Sequence, residues 1–168
     1  MRISTVVHGV PFAKVVPGNI IRIFDKDGKL YTGMKVYREH YTAVLFLQSQ
    51  SSFKMADIGE TLAEQDLMLE APEAVLLCSE FSQSPHGRAP ATGDLTIHDD
   101  GKTMLLAKMN GCPLYVDMST GQVLSPDKGR MPYIKVSKWS IVLRGDTTEC
   151  LVEFPYASEC GQEKTSAV

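Results

Sequence analysis

Residues 20–47 constrain the fold of this chain more than any other stretch of its sequence. Three runs rich in β-branched and aromatic residues follow one another there, at Ile20–Phe24, Leu30–Tyr37 and Tyr41–Leu47. Between the first two runs lies Asp27-Gly28, and glycine readily adopts the positive φ that a tight hairpin turn requires. The pattern therefore predicts a strand, a tight turn and two further strands.

The second half of the chain continues this β pattern. After residue 94, strand-like runs recur roughly every ten residues and are separated by turn sequences such as Asp100-Gly101. Such spacing is typical of a β sandwich or barrel. We therefore predict a mainly β fold, either an antiparallel barrel or sandwich or two small β subdomains, with positive φ at both Gly28 and Gly101.

One segment has a composition and a spacing of apolar residues that differ from those of the predicted strands. Residues 57–70 are acidic, with Ile58, Leu62 and either Leu67 or Leu69 loosely at helical spacing. Asp57 and a glutamate three residues later have the spacing of a capping box. This pattern predicts one short helix near residues 57–70.

A second segment suggests a boundary between subdomains. Residues 82–94 contain two prolines, two glycines and no large apolar residue, which is typical of a linker or mobile loop. We expect an N-terminal β subdomain at 1–81, a C-terminal β subdomain at 95–157 and a flexible tail at 158–168. The alternative is a single domain over residues 1–157.

The cellular setting follows from what the sequence lacks. No apolar run approaches the roughly 20 residues that a membrane-spanning helix needs, and the opening residues lack the apolar run of a signal peptide. We therefore expect a cytoplasmic protein with reduced thiols. The four cysteines and four histidines do not have zinc-site spacing, and phosphate-binding loops are missing, so we predict no metal and no cofactor.

Charge is distributed unevenly along the chain. Residues 1–56 hold eight Lys/Arg and three Asp/Glu, whereas residues 57–94 hold one and eight. This basic excess coincides with the opening strands. It can meet the acidic segment within the fold or in an oligomer, or it can attract a polyanion.

Basic and aromatic residues alternate on two predicted strands. By the two-residue period of a strand, one set shares a face of the second strand and another shares a face near the C-terminus. The predicted binding residues are therefore Lys29, Tyr31, Lys35, Tyr37, Tyr133, Lys135 and Trp139. A different reading places the aromatic rings in the core, with the lysine stems passing over them.

These residue types suit more than one partner. Aromatic and basic side chains on a sheet can stack single-stranded nucleic acid, but they are also common in protein interfaces. The net charge of −3 favours a protein because nucleic-acid binders usually carry a basic excess. We predict a non-enzymatic binding module that acts through a protein partner or self-association. Nucleic-acid binding by the N-terminal sheet is the alternative, and a small hydrolase with Cys112 as nucleophile and His98 as base is third.

Overall fold

The computed structural model describes residues 8–24, 28–48, 54–59, 67–84, 90–125, 133–143 and 149–155. Within these ranges the chain forms two sheets of antiparallel strands and one 3₁₀ turn, Phe12–Lys14. The predicted mainly β, antiparallel fold is therefore confirmed. No helix in this part of the chain has the length and apolar character needed to cross a bilayer.

The first sheet consists of the strands β1 (His8–Pro11), β2 (Ile20–Phe24), β3 (Leu30–Arg38), β4 (Tyr41–Phe46), β5 (Ile58–Gly59) and β6 (Leu67–Ala71). Their spatial order is β1-β6-β2-β3-β4-β5. Strands β2, β3 and β4 are the three runs recognised in the sequence, and they pair in succession as antiparallel neighbours. Gly28 has a φ of 77° between β2 and β3, as predicted for this turn.

The second sheet consists of the strands β7 (Ala74–Ser84), β8 (Leu95–His98), β9 (Thr103–Met109), β10 (Cys112–Asp117), β11 (Val123–Leu124), β12 (Tyr133–Leu143) and β13 (Glu149–Phe154). The long strand β12 organises this sheet. One edge of β12 pairs with β7 along its whole length, and the other edge pairs first with β8 and then with β13. Gly101, between β8 and β9, has a φ of 80°, again as predicted.

The two sheets share one hydrophobic core. Met34, Val36 and Leu45 of the first sheet belong to the same buried cluster as Leu105 and Ile141 of the second. By the two-residue period of β3, Leu30, Thr32, Met34 and Val36 are expected to share the core face, and Thr32, Met34 and Val36 are buried while Leu30 is half-buried. The arrangement is that of a β sandwich or a barrel-like sandwich.

A backbone hydrogen bond joins the turn after β10, in the second sheet, to the end of β3 in the first sheet. Gly121 accepts a hydrogen bond from the Tyr37 amide at 2.9 Å, and Gly18 donates one to the Lys35 carbonyl at 2.8 Å. The two glycines touch: a Cβ on Gly121 would lie 2.5 Å from the Gly18 nitrogen. Only residues without a side chain fit this crossing of backbones.

The helix predicted near residues 57–70 is not present in the described part of that range. Ile58–Gly59 and Leu67–Ala71 are strands, and residues 60–66 lie outside the described ranges. The Asp57 carboxylate accepts the Lys54 amide at 2.7 Å, so it closes a turn instead of capping a helix. The apolar residues of β6 satisfy their backbone groups by pairing with β1 and β2, and this pairing overrides a weak helical period.

The change from one sheet to the other falls between β6 and β7, at residues 72–73. Residues 74–84 thus form a strand of the second sheet, although the sequence placed most of them in the N-terminal subdomain and the last three in the linker. Residues 85–89 of the predicted linker and the tail at 158–168 lie outside the described residues. The division into two subdomains stays a prediction.

Candidate interaction surfaces

The outer face of the first sheet was predicted to be basic and aromatic, and the structure corrects this at Lys35. Its side chain is only 4% exposed. The Lys35 ammonium donates to the Phe12 carbonyl at 2.8 Å and the Ala13 carbonyl at 3.2 Å, and it lies 4.7 Å from the centre of the Phe12 ring. The 3₁₀ turn therefore covers this lysine, which contributes packing and hydrogen bonds inside the protein instead of surface charge.

The same face of the first sheet carries a second hydrophobic cluster. Its buried members are Phe12, Val15, Ile21, Ile23, Val44, Phe46 and Met68. The strand members of this cluster lie on β2, β4 and β6, on the face of the sheet that also carries Lys35, so this face is a packed layer under the N-terminal turn. Of the other predicted binding residues here, Tyr31 and Tyr37 are half-buried and Lys29 is exposed.

Tyr133 and Lys135 do share a face, as predicted, on the outer side of the second sheet. Lys135 forms an ion pair with Asp94 at 2.7 Å, and both side chains are largely buried. The Asp94 carboxylate also accepts the Ala91 amide at 2.7 Å. Because its charge is matched within the fold, Lys135 offers little attraction to a polyanion.

Next to this ion pair lies a buried histidine with a defined proton arrangement. The Thr96 hydroxyl is 3.3 Å from the Met104 carbonyl and 3.0 Å from His98 Nε2. The carbonyl can only accept, and the hydroxyl has one hydrogen to give. Both contacts are hydrogen bonds only when Thr96 donates to Met104 and His98 donates from Nε2. The ring of Tyr133 lies 6.1 Å from that of His98 at 47°.

A tyrosine on the same outer face has a perturbed acidity. Burial raises the pKa of Tyr115, and the neighbouring Tyr133 adds to the rise. The Tyr115 hydroxyl therefore stays protonated at neutral pH, since the ordinary pKa of tyrosine is already about 10. On this face the charges of Lys135 and Asp94 are paired with each other beside the buried side chains of Thr96, His98 and Tyr115.

Trp139 is separated from Tyr133 and Lys135 by an irregularity in β12. The register between β12 and β7 shifts on both sides of Lys138, so the alternation of faces changes there. Val136 and Trp139, three residues apart, both point into the shared core. Trp139 is 1% exposed, stacks on Phe154 and donates from Nε1 to the Gly93 carbonyl at 2.9 Å.

The thiol and imidazole proposed for a hydrolase lie far apart. Cys112 pairs with Met109 at one end of β9, whereas β8 ends at His98 beside Thr103 at the other end. Six residue steps along a strand separate those ends, which is about 20 Å. Burial raises the pKa of a different thiol, Cys78, and a raised pKa lowers its nucleophilic thiolate fraction.

The outer edge of β7 is the surface that sequence reasoning missed. Among the described strands, β7 pairs only with β12, and no other described strand pairs with its second edge. Leu77 is 39% exposed and Phe81 is 58% exposed on this strand. The apolar run at 74–78 has the length of a strand, but the polar residues that follow it gave no sign that the strand continues to residue 84. The position of a strand at the edge of a sheet depends on the topology of the whole fold, which a local sequence pattern does not contain.

The described residues contain no group of three or more His, Cys, Asp and Glu side chains placed to hold a metal ion. Comparison with known proteins gives no match: no family model, no curated protein and no solved structure is significantly similar to this chain.

Proposed function

We propose that this protein is a non-enzymatic interaction module that binds an extended polypeptide segment along the outer edge of β7. In this mode the incoming segment adds a strand to the second sheet, so that its main chain supplies hydrogen bonds and its alternate side chains supply specificity. A cytoplasmic setting with reduced thiols is part of the same proposal.

The observation that carries the proposal is the contrast between β7 and the other sheet edges. β1 has four residues and ends at Pro11, while β5 and β11 have two residues each. β13 contains a register irregularity opposite Ile141/Val142 and is followed by Pro155. β7 has eleven residues without proline, glycine, lysine or arginine. Since folded proteins usually shorten, charge or bend exposed edges, an unprotected long edge suits a binding surface.

Exposed apolar side chains accompany this edge. Five large apolar residues in the described ranges are exposed, and Leu77, Phe81 and Ile134 are three of them. Phe81 pairs with Val136, so Ile134, two residues earlier on β12, is its diagonal neighbour on the same face. An added strand would shield these side chains from water, which favours binding by roughly 25 cal/mol per Å² of apolar area covered.

The proposal is tested with a phage-displayed library of unstructured peptides. We expect enriched peptides with alternating apolar residues, which perturb the backbone amide signals of residues 74–84 on binding. Leu77→Lys combined with Phe81→Lys should weaken that binding at least about tenfold, because the two substitutions together remove the exposed apolar side chains that an added strand would cover.

Val16→Lys combined with Phe24→Lys is the matched control, since these apolar residues are similarly exposed but belong to the first sheet and its N-terminal turn. The control variant should bind as the native protein does. Peptides that bind equally well to the β7 variant, or that perturb signals only outside the second sheet, would contradict the proposal.

A further inference from the structure

We infer that the β7 edge is occupied by a second copy of this chain, paired antiparallel across a two-fold axis that passes between Cys78 and Ser79. This inference rests on the proposed function and names the partner. An antiparallel strand edge is suited to such a contact because the two-fold operation places the same donors and acceptors opposite one another.

The faces of β7 limit the possible registers. Leu76 and Cys78 pack against the shared core, and Phe81 lies on that same inner side because it pairs with buried Val136. Glu80 lies on the outer side, where its carboxylate is 3.9 Å from the Lys138 ammonium. Inner positions are therefore even-numbered up to residue 78, whereas residue 80 lies on the outer side and residue 81 on the inner side, because of the irregularity between residues 78 and 80.

In a two-fold pairing, inner side chains lie beside inner side chains only if the residues of β7 before its irregularity pair with the residues after the irregularity in the second copy. With the axis between residues 78 and 79, Leu76 lies opposite Phe81 of the second copy and Leu77 lies opposite Glu80 of the second copy. An axis between residues 79 and 80 also preserves the faces, but it brings the two Glu80 carboxylates together beside the axis. Like charges at such close range are unfavourable, so the first register is selected.

The charge of the strand permits this self-association. Glu80 is the single charged residue of β7, and Lys138 of the same chain lies beside it. In the selected register the two Glu80 residues are offset by three positions, about 10 Å along the strand. In this register residues 74–83 of each copy pair, so the contact is about 34 Å long at the antiparallel rise, and a single strand edge of this size is small for an interface. We therefore expect a weak dimer with a dissociation constant in the micromolar range.

Two substitutions at one position test the register. Leu77→Glu places a carboxylate opposite Glu80 of the second copy, twice in each dimer, whereas Leu77→Lys places an opposite charge there. In sedimentation velocity at low ionic strength, we expect Leu77→Glu to raise the dimer dissociation constant about tenfold and Leu77→Lys to change it less than about threefold. The difference should shrink in 1 M salt because exposed charges are screened.

Thermal unfolding of both variants at a concentration below dimerisation confirms that the monomer fold is retained, as expected at a half-exposed position. Equal weakening by the two substitutions would overturn the register, and a native protein that stays monomeric at millimolar concentration would overturn the dimer. If such a monomer still binds displayed peptides along β7, the proposed function stands and only the identity of the partner fails. If neither peptides nor a second copy contact β7, both proposals fail.

Discussion

Replacing Gly121 with alanine is expected to lower the free energy of unfolding by about 3 kcal/mol or more. Its φ of 72° is unfavourable for a residue with a Cβ, at a cost of roughly 1–2 kcal/mol. The added Cβ would also lie 2.5 Å from the Gly18 nitrogen and 2.6 Å from the Lys35 carbonyl oxygen. Because these atoms are backbone, and because they join the two sheets, relief of the clash would require the sheets to move apart.

Gly111→Ala is the matched control for this experiment. Gly111 has a φ of 81° in the turn between β9 and β10, but a Cβ added there would have no other atom within 4 Å. We therefore expect a loss of only about 1 kcal/mol, which reports the cost of the backbone conformation alone. Urea unfolding of both variants measures the difference. Equal losses would show that the Gly18–Gly121 crossing is not closely packed.

Replacing Trp139 with alanine is expected to lower the free energy of unfolding by about 3–5 kcal/mol. The indole is fully buried between the sheets, stacks on Phe154 with a ring separation of 5.6 Å and satisfies the Gly93 carbonyl. Alanine would leave a cavity in the shared core together with an unsatisfied carbonyl oxygen. The loss should be seen as a large shift of the urea midpoint.

Phe81→Ala provides the control for removal of an aromatic ring from the same sheet. Because Phe81 is mostly exposed, its loss should change the stability of the monomer by less than about 0.5 kcal/mol. A large effect at Phe81, or a small one at Trp139, would mean that the assignment of faces on β7 and β12 is wrong.

The turns and the core face of β3 could be predicted from the sequence because their causes are local. Asp-Gly at residues 27–28 and 100–101 demands a conformation that glycine adopts readily, and both glycines have positive φ. Met34 and Val36 lie in the core shared by the two sheets because a regular strand alternates its faces, and Leu30 at the start of the same face is half-buried. Neither inference needs knowledge of the distant chain.

Where residues 67–70 were predicted to be helical, they form a strand for a non-local reason. Leu67–Ala71 pairs with two strands from the beginning of the chain, and its loose helical spacing gave no sign of these partners. Strand pairing at such distances depends on topology, so a weak periodicity and one acidic residue at a plausible cap position are insufficient to decide between helix and strand.

Trp139 does not share a face with Tyr133 and Lys135, because regular alternation is interrupted on β12. Tyr133, Lys135 and Trp139 have the spacing of one strand face, but β12 changes its pairing partner from β8 to β13 between Val136 and Trp139. The irregularity there turns Trp139 into the core. Lys35 follows the regular alternation, yet the preceding Phe12–Lys14 turn covers its face and supplies its acceptors.

The central claim, that the outer edge of β7 is open in the monomer and closed by strand addition, is tested most directly by amide hydrogen exchange of residues 74–84. In an antiparallel edge strand, alternate amides point towards the neighbouring strand and the others point away from it. At a concentration below dimerisation, we predict slow exchange for the amides that face β12 and fast exchange for the alternate set. At high concentration the alternate set should also become protected. Slow exchange of both sets in the dilute monomer would contradict the account, because the edge would then already be covered by the protein's own chain.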